Sequence, residues 1–199
     1  MNPPHAAVVL AAGGSTRLGQ PKQLLTRAGE TLVHRATRLA SETAPAQLLV
    51  VVGADGRLVA ASVADMECAV VTNSGWACGL AGSLRTAGAH LDPAVRRVLV
   101  LLCDQPGLER HHLEALLEGA ADAATGCAAT RHDDALGVPA VVPRSWFDSL
   151  DQAGDRGFGY RLGQLHPADI FQLHAPGLGA DIDSPQDLAN ARMMGWLDA

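Results

Sequence analysis

Residues 6–22 read AAVVLAAGGSTRLGQPK, and this stretch decides the fold. The first five residues are small or branched and apolar, which is typical of a strand buried on both faces of a parallel sheet. The chain then enters small residues and glycines, which let backbone N–H groups approach a phosphate chain closely. A glycine pair alone is equally typical of a plain tight turn, but Arg17 and Lys22 add the cationic donors that a triphosphate needs. The whole stretch therefore predicts an α/β fold with a phosphate-binding loop after its first strand.

The rest of the chain continues the alternation of strand and helix. Short β-branched runs alternate with longer Ala- and Leu-rich amphipathic stretches, the pattern of a mostly parallel sheet with helices on both faces. The predicted strands are Ala6–Leu10, Gln47–Val52, Ala69–Thr72, Arg97–Leu102, Gly126–Thr130, Val138–Val142 and Asp169–Leu173. The predicted helices are Thr31–Thr43, Arg57–Asp65, Leu80–His90, Glu109–Ala121 and a last one that Ser184 caps. No repeat or linker-like stretch interrupts the pattern, so we expect one domain over residues 1–199.

The composition narrows the classes of partner. A net charge of −6 without a Lys or Arg run makes nucleic acid an unlikely partner. The apolar runs are only strand-length, so we expect no membrane span. There is no basic start followed by an apolar core, as a signal peptide would have. The widely spaced Cys68, Cys78, Cys103 and Cys127 are expected to be reduced thiols, which favours a cytoplasmic protein.

Two other phosphate-binding loops can be tested by their spacing. A P-loop requires Gly-Lys-Ser/Thr after four intervening residues. Here Gly14 and Gly19 have that separation, but Gln20-Pro21 follows. The dinucleotide fingerprint Gly-x-Gly-x-x-Gly is also absent, which disfavours an NAD-dependent oxidoreductase.

A carboxylate follows the fourth predicted strand, in Cys103-Asp104-Gln105-Pro106. A carboxylate at the end of a buried apolar strand is costly unless something pairs with it. Mg²⁺ is commonly held by one or two carboxylates together with substrate phosphates and water. Ligands in parallel α/β sheets bind at the carboxyl ends of strands, so Asp104 is the first candidate metal ligand. Capping of the turn ahead of Pro106 is the alternative role.

Two further carboxylates precede the last predicted helix, in Ala180-Asp181-Ile182-Asp183-Ser184-Pro185. Alternation along an extended chain places Asp181 and Asp183 on one side and Ile182 on the other. Asp183 also lies next to the positive end of the capped helix. Metal binding and helix stabilisation are therefore equally consistent with Asp183.

The motif Leu-Ala-x-Gly-x-Ser-x-Arg-x-Gly-x-x-Lys is complete from Leu10 to Lys22. It is the signature of nucleotidyltransferases with a dinucleotide-binding-like fold. With the Asp104 and Asp183 segments in the same order, the chain resembles the molybdenum cofactor cytidylyltransferases of the molybdopterin-guanylyltransferase-like group. The resemblance covers essentially the whole chain and includes Asn73-Ser74-Gly75-Trp76, Gly137-Val138-Pro139 and Gly154-Asp155-Arg156-Gly157.

The resemblance implies a fold and a set of site residues. The fold would be a Rossmann-like domain of the nucleotide-diphospho-sugar transferase type, with about residues 1–105 binding the nucleotide and about 106–199 the acceptor. The catalytic residues would be Arg17, Lys22 and Asp104, and the metal ligands Asp104 and Asp183. The acceptor would face Gly137, Pro139, Asp155 and Arg156. The nucleotide would contact Leu10, Ala11, Ala12, Gly13, Gly14, Ser15, Arg17, Lys22, Ser83 and Asp104.

The implied reaction transfers CMP from CTP to the phosphate of molybdopterin and releases pyrophosphate, with Mg²⁺, or alternatively Mn²⁺, as the cofactor. A molybdoenzyme would be the client that receives the product. Ala12, where the guanylyltransferase relatives usually carry glycine, and Gln105 both resemble the cytidine-using branch. Two alternatives remain: transfer to a sugar phosphate or other small phosphorylated acceptor, and a module that binds nucleotide or cofactor without turnover. The presence of Lys22 and both carboxylates favours catalysis.

Overall fold

A seven-stranded sheet forms the centre of the protein in the computed structural model, which describes residues 4–132, 135–150, 157–179 and 181–199. A separate two-stranded hairpin, β2 and β3, leads into the first helix. The strands are β1 His5–Ala11, β2 Thr26–Arg27, β3 Glu30–Thr31, β4 Gln47–Val52, β5 Ala69–Thr72, β6 Arg97–Leu102, β7 Ala128–His132, β8 Ala135–Pro143 and β9 Phe171–His174.

The strand order in the large sheet is β5-β4-β1-β6-β8-β7-β9. Strand β1 pairs in parallel with β4 and β6, β4 with β5, and β7 with β9. Strand β8 runs antiparallel to both of its neighbours. The carboxyl ends of the six mutually parallel strands therefore share one edge of the sheet with the amino end of β8. This arrangement confirms the predicted α/β fold with a mostly parallel sheet.

Helices cover both faces of the sheet, as predicted. The helices are α1 Leu32–Ser41, α2 Gly56–Ala61, α3 Leu80–His90, α4 Arg110–Asp122, α5 Ser145–Asp148, α6 Gly159–Gly163 and α7 Pro185–Met193. Helices α1, α2 and α4 pack on one face, and α3, α5 and α6 on the other. Along β1, Val9 belongs to the first core and Val8 to the second, because successive side chains of a strand point to opposite faces.

A smaller third core joins α7 to the loop after β1. Leu188 and Ala191 of α7 pack with Leu18, Leu25 and Leu32. Ile182, which is only 1% exposed, belongs to the same cluster. The C-terminal segment is thereby held against the glycine-rich loop, although more than 150 residues separate them in sequence.

The predicted bounds of β4, β5, β6 and α3 agree with the structure to the residue. Helix α2 is shorter than predicted, because turns replace the helix after Ala61. The hairpin β2–β3 and the helices α5 and α6 were not predicted, since elements of two to five residues are too short to show a periodicity. In the described part of the chain, none of the helices combines the length and the apolar character needed to cross a membrane.

Candidate active site

A cleft of 310 Å³ opens at the sheet edge where β1 and β6 end. Its volume falls within the usual range for ligand pockets, roughly 300–1,000 Å³. Four segments that are distant in sequence meet there: two follow the strands β1 and β6, and two lead into the helices α3 and α7. The lining consists of Leu10, Ala11, Ala12, Gly13, Lys22, Gln23, Trp76, Gly79, Leu80, Ser83, Leu102, Cys103, Asp104, Asp181 and Asp183.

The glycine-rich loop leaves β1 and folds back towards the floor of the cleft. Ser15 has a φ of 48°, in the left-handed region, and its carbonyl accepts hydrogen bonds from the N–H groups of Leu18 and Gly19, both at 3.0 Å. The Ser15 hydroxyl accepts a bond from the Lys22 N–H at 3.1 Å. These bonds close the loop and aim Lys22 into the cleft. Gly14, Ser15 and Arg17 belong to the loop but lie outside the cleft lining.

Gln23 stabilises the glycine-rich loop through its buried side chain. Its side chain is only 1% exposed. Its amide nitrogen Nε2 donates to the carbonyl oxygens of Ala11, at 3.1 Å, and Gly13, at 2.6 Å. Its Oε1 lies 3.5 Å from the Ser15 hydroxyl, which donates to it. A buried backbone carbonyl is costly when unpaired, so Gln23 determines how the loop leaves the strand.

Lys22 lies between the two carboxylates predicted to bind metal. Its ammonium contacts Asp104, and its Nζ lies 2.7 Å from Oδ1 of Asp183. The side chains of Lys22 and Asp104 are 16% and 7% exposed, so this pair is buried. Arg17 donates to the other oxygen of Asp183 at 2.7 Å, but its side chain is 73% exposed. The structure therefore brings together Arg17, Lys22, Asp104 and Asp183, which come from three segments that are far apart in sequence.

The charges of this cluster shift one another's pKa values. Burial alone would lower the pKa of Lys22, but the adjacent carboxylates of Asp104 and Asp183 outweigh it and raise that pKa above its usual value. The hydrogen bond from Lys22 lowers the pKa of Asp183. Lys22 is therefore a permanent cation and Asp183 a permanent anion near neutral pH.

Asp181 is a third carboxylate in the cleft. It lines the same wall as Asp183, as the predicted alternation around the buried Ile182 requires. Burial, and secondarily the negative charge of Asp104, raises the pKa of Asp181 to about 6. Sequence reasoning placed Asp181 correctly but assigned it no role.

Asp183 does not cap the last helix. Ser184 is the N-cap of α7, and its hydroxyl accepts a bond from the N–H of Asp187 at 3.2 Å. Asp187 in turn accepts bonds from the backbone N–H groups of Ser184 and Asp183, which completes a capping box. The Asp183 side chain is left to bind Lys22 and Arg17. The Asp183 side chain therefore faces the cleft, and metal binding by Asp183 stays a prediction.

Trp76 and Ser83 contribute a ring and a hydroxyl to the lining of the cleft. The Trp76 ring packs so closely on the loop that a Cβ on Gly14 would lie 2.5 Å from it. Trp76 is also partly buried against the second core, so it packs against neighbouring elements while lining the cleft. Ser83 is 4% exposed and accepts a bond from the Asn73 amide at 3.0 Å. Ser83 therefore reaches the cleft as an oriented hydroxyl.

Of the predicted acceptor residues, Gly137 and Pro139 are described, and neither belongs to the lining of the cleft. Gly137 and Pro139 are on β8, at an irregularity in its pairing with β7. The Pro139 carbonyl accepts a bond from the Thr130 hydroxyl at 2.9 Å. Asp155 and Arg156 lie outside the described residues.

The carboxylates provide the type of ligand that a hard cation prefers. Oδ1 of Asp104 is buried and has no hydrogen-bond partner within the described part of the chain. Asp183 is 40% exposed and accessible from solvent. No group of three His, Cys, Asp or Glu side chains among the described residues is arranged to hold a metal ion. A divalent ion here would thus need substrate phosphates and water to complete its coordination, which is usual for Mg²⁺.

Gln23 is a site residue that the sequence analysis missed. It follows Lys22 directly, but a glutamine in a polar loop carries no specific signal. Only its burial and its bonds to two loop carbonyls identify its contribution.

The chain matches the family model described as a MobA-like NTP transferase domain over residues 7–168. It is 37% identical over 102 residues to nicotine blue oxidoreductase from Paenarthrobacter nicotinovorans, covering 51% of this chain and 50% of that protein. It is 32% identical over 104 residues to a probable molybdenum cofactor guanylyltransferase from Opitutus terrae, covering 52% and 50%. These matches thus span about half the length of each relative.

Solved structures match over nearly the whole chain. Rv0371c from Mycobacterium tuberculosis H37Rv has a TM-score of 0.79 and 28% identity, covering 96% of this chain and 98% of that one. A complex of Rv0371c with manganese has a TM-score of 0.76 and 25% identity, covering 94% and 97%. A molybdopterin-guanine dinucleotide biosynthesis protein A from Archaeoglobus fulgidus, at 19% identity, shares the fold with a TM-score of 0.70, covering 95% and 97%. Because the family match extends over most of its length, the chain belongs to the MobA-like NTP transferase family.

Proposed function

We propose that the protein transfers CMP from CTP to the phosphate of molybdopterin, in a Mg²⁺-dependent reaction that releases pyrophosphate. The observation that carries this proposal is the placement of Lys22 between Asp104 and Asp183 at the floor of the cleft. Two carboxylates and a lysine at the end of a glycine-rich loop can bind both a divalent cation and a triphosphate. The inferred site consists of the residues named in the sequence analysis, with Gln23 and Asp181 added.

Two cationic side chains, Arg17 and Lys22, would bind the triphosphate. In the reaction, the acceptor's phosphate oxygen attacks the α-phosphorus in line, and pyrophosphate leaves from the opposite side. Arg17 and Lys22 meet the negative charge that builds on the leaving oxygens, and groups already in place stabilise such charge most effectively. The acceptor phosphate is already anionic near neutral pH, so the reaction requires no general base.

Asp104 and Asp183 are the residues that would hold the metal ion. The unpaired buried oxygen of Asp104 and the exposed carboxylate of Asp183 fit a hard divalent cation. A bound Mg²⁺ or Mn²⁺ would neutralise and orient the phosphates. With the carboxylates so engaged, the Lys22 ammonium is free to contact the phosphate chain. The manganese complex of Rv0371c supports a divalent metal in this group of structures.

The choice of CTP rests on the wall of the cleft. The Ala12 methyl lies at the surface of the cleft and packs near Gly53. Guanylyltransferases usually carry a glycine at this position, according to the resemblance. The additional methyl group leaves less room for the base, which favours a pyrimidine over the larger purine. The choice of molybdopterin rests on the resemblance of the whole chain and on the named relative from Opitutus terrae.

Two other functions provide the contrast for the experiment. Transfer to a sugar phosphate or another small phosphorylated acceptor would use the same residues on the nucleotide. A module that binds nucleotide without turnover would have no use for two carboxylates around Lys22. One relative is named an oxidoreductase. A redox reaction would neither consume a nucleoside triphosphate nor release pyrophosphate.

The test measures pyrophosphate release by the purified protein with Mg²⁺ and molybdenum-loaded molybdopterin, in parallel with CTP, GTP, ATP and UTP. We expect release with CTP alone, together with the cytidine dinucleotide product. The Asp104→Asn protein, checked for folding by circular dichroism, is the matched control and should be inactive.

Each other outcome rejects a defined part of the proposal. Release with another triphosphate would reject the assignment of CTP. Release that requires a different phosphorylated acceptor would reject molybdopterin. No release from folded protein with any triphosphate or acceptor would reject catalysis and favour a binding module.

A further inference from the structure

Two buried glutamines make the same kind of contact on opposite sides of the cleft. Gln23 is 1% exposed and Gln105 is 5% exposed. The amide nitrogen of each donates to two backbone carbonyls: that of Gln23 to Ala11 at the end of β1 and to Gly13 in the loop, and that of Gln105 to Val138 in β8 and to Leu178. We call the loop residues 11–15 the nucleotide side, and residues 136–140 together with 177–179 and 181–183 the acceptor side.

On the acceptor side, Gln105 joins two segments that lie about 40 residues apart in the chain. Its Nε2 donates to the carbonyl of Val138, at 3.3 Å, and to that of Leu178, at 3.1 Å. Val138 lies at the irregular part of β8, and its carbonyl also accepts a bond from His132 at 2.9 Å. Leu178 lies three residues before Asp181. Since Gln105 follows Asp104 directly, one amide ties the metal carboxylate to both parts of this side.

The loop after Asp104 is packed closely against the same segment. A Cβ on Gly107 would lie 2.5 Å from the Gly177 carbonyl oxygen. The N–H of Ile182 lies 3.4 Å from the Asp104 carbonyl, to which it donates. A shift of the Gln105 amide would therefore move Asp104 and the acceptor side relative to each other.

The unpaired oxygen of Gln105 indicates which part of the amide matters. Its Oε1 is buried and has no hydrogen-bond partner among the described residues, while the nitrogen donates to two backbone carbonyls and also lies within hydrogen-bonding reach of the Asp181 carboxylate. Burying an unpaired acceptor costs free energy. The bonds that the amide nitrogen donates offset this cost and hold the side chain in place. The same holds on the nucleotide side, where the Gln23 nitrogen donates at 3.1 and 2.6 Å and its oxygen has only a long contact with Ser15.

We propose that Gln23 and Gln105 are positioning residues with separate targets: Gln23 sets the affinity for the nucleotide, and Gln105 sets the affinity for the phosphorylated acceptor. Neither takes part in the bond changes of the reaction. The proposal rests on the proposed function for the identity of the two substrates. The geometry separates the two targets, because Gln23 holds carbonyls of the loop after β1 and Gln105 holds carbonyls of β8 and of the segment before Asp181.

The test compares Gln23→Met with Gln105→Met, because methionine has a similar length and no N–H donor. Calorimetric titration with Mg·CTP in the absence of acceptor measures nucleotide affinity, and steady-state kinetics at saturating Mg·CTP measure KM for molybdenum-loaded molybdopterin. We expect Gln23→Met to weaken Mg·CTP binding about tenfold and to change acceptor KM less than about twofold, the scale of one or two lost hydrogen bonds. We expect the reverse for Gln105→Met.

Hydrogen–deuterium exchange gives a readout that does not depend on the substrates. Gln23→Met should speed exchange on the nucleotide side, and Gln105→Met on the acceptor side. If a Met variant does not fold, Gln23→Asn and Gln105→Asn keep the amide but are too short to reach both carbonyls, and the same comparison applies to them.

Two results would overturn the proposal: equal effects of both variants on nucleotide affinity, or unchanged exchange on the acceptor side in the Gln105 variants. Failure of the wild-type protein to use CTP or molybdopterin would instead count against the proposed function, and the exchange pattern would still decide the roles of the two glutamines.

Discussion

The nucleotide side and the acceptor side of the cleft are built in different ways. The nucleotide side is one continuous loop directly after β1, and Lys22 and Gln23 follow a few residues later in the same stretch of sequence. The acceptor side is assembled from the irregular part of β8 and the segment before α7, which are about 40 residues apart. The loop after β6 lies between them and contributes Asp104. The residues of a continuous loop can be recognised as a motif in the sequence. The residues of the acceptor side come from distant segments and form no such motif.

The largest expected effect concerns the carboxylate at the junction of the two sides. Asp104→Asn should lower turnover on the order of 10²–10³-fold or more, the scale of losing one preorganised charge-stabilising group. Asp181→Asn is the comparison within the same cleft: it removes a neighbouring carboxyl whose pKa is raised to about 6, and we expect a smaller loss of turnover. Pyrophosphate release at saturating substrates measures both variants. Equal losses would mean that the cleft responds to its total charge and not to the position of Asp104.

The next effect separates the buried cation from the exposed one. Lys22→Met should weaken Mg·CTP binding roughly 10- to 100-fold, the scale of hydrogen bonds to charged groups. Arg17→Met should have a smaller effect, since its side chain is 73% exposed and its ion pair is screened by water.

Lys22→Met should also strengthen Mn²⁺ binding in the absence of nucleotide, because the ammonium no longer competes for Asp104 and Asp183. Titration calorimetry with Mg·CTP and paramagnetic resonance with Mn²⁺ measure the two affinities. Unchanged nucleotide affinity in Lys22→Met would contradict the site.

A third prediction is confined to the nucleotide side. Gly14→Ala should lower the free energy of unfolding by about 1–3 kcal/mol, the usual cost of overpacking, because its methyl would meet the Trp76 ring. Gly13→Ala is the control: within the described structure its Cβ would have no atom within 4 Å, so a change below about 1 kcal/mol is expected. Urea unfolding measures both. A similar loss for the two variants would show that the loop is strained throughout and not only where Trp76 covers it.

The smallest effect lies outside both sides. Glu30 accepts two bonds from Arg38, both at 2.9 Å, and one from His34 at 2.7 Å. The bonds from Arg38 lower the pKa of Glu30 from its usual 4.5 to about 2. A lowered carboxyl pKa stabilises the folded state above the unfolded pKa, and this contribution is lost as pH falls from about 4.5 towards 2.

Glu30→Gln should therefore cost about 1 kcal/mol at pH 7, reduced by solvent screening, and much less near pH 3. Urea unfolding at the two pH values measures the difference, while turnover should be unchanged. A cost that stays constant with pH would show that the interaction does not depend on the charge of Glu30.

The fold was more predictable than the site. Strands β4, β5 and β6 and helix α3 follow from apolar runs and amphipathic spacing, because a buried strand and a half-buried helix each impose a period on the sequence. The glycine-rich loop and Asp104 follow from what comes directly after a strand. Asp181 was predicted to share a side with Asp183, but its raised pKa depends on burial and on Asp104, and neither can be known from its own segment.

By itself, the sequence determined the α/β class, the position of the loop and the residues that its motif contains, since these depend on neighbours in the chain. The tertiary structure alone decided that Lys22 lies between Asp104 and Asp183, that Asp187 completes the cap of α7 while Asp183 faces the cleft, and that Gln23 and Gln105 each hold two carbonyls. These contacts join segments up to about 160 residues apart. They form because the carboxyl ends of parallel strands share an edge and because the small core around Ile182 presses the C-terminal segment against the loop.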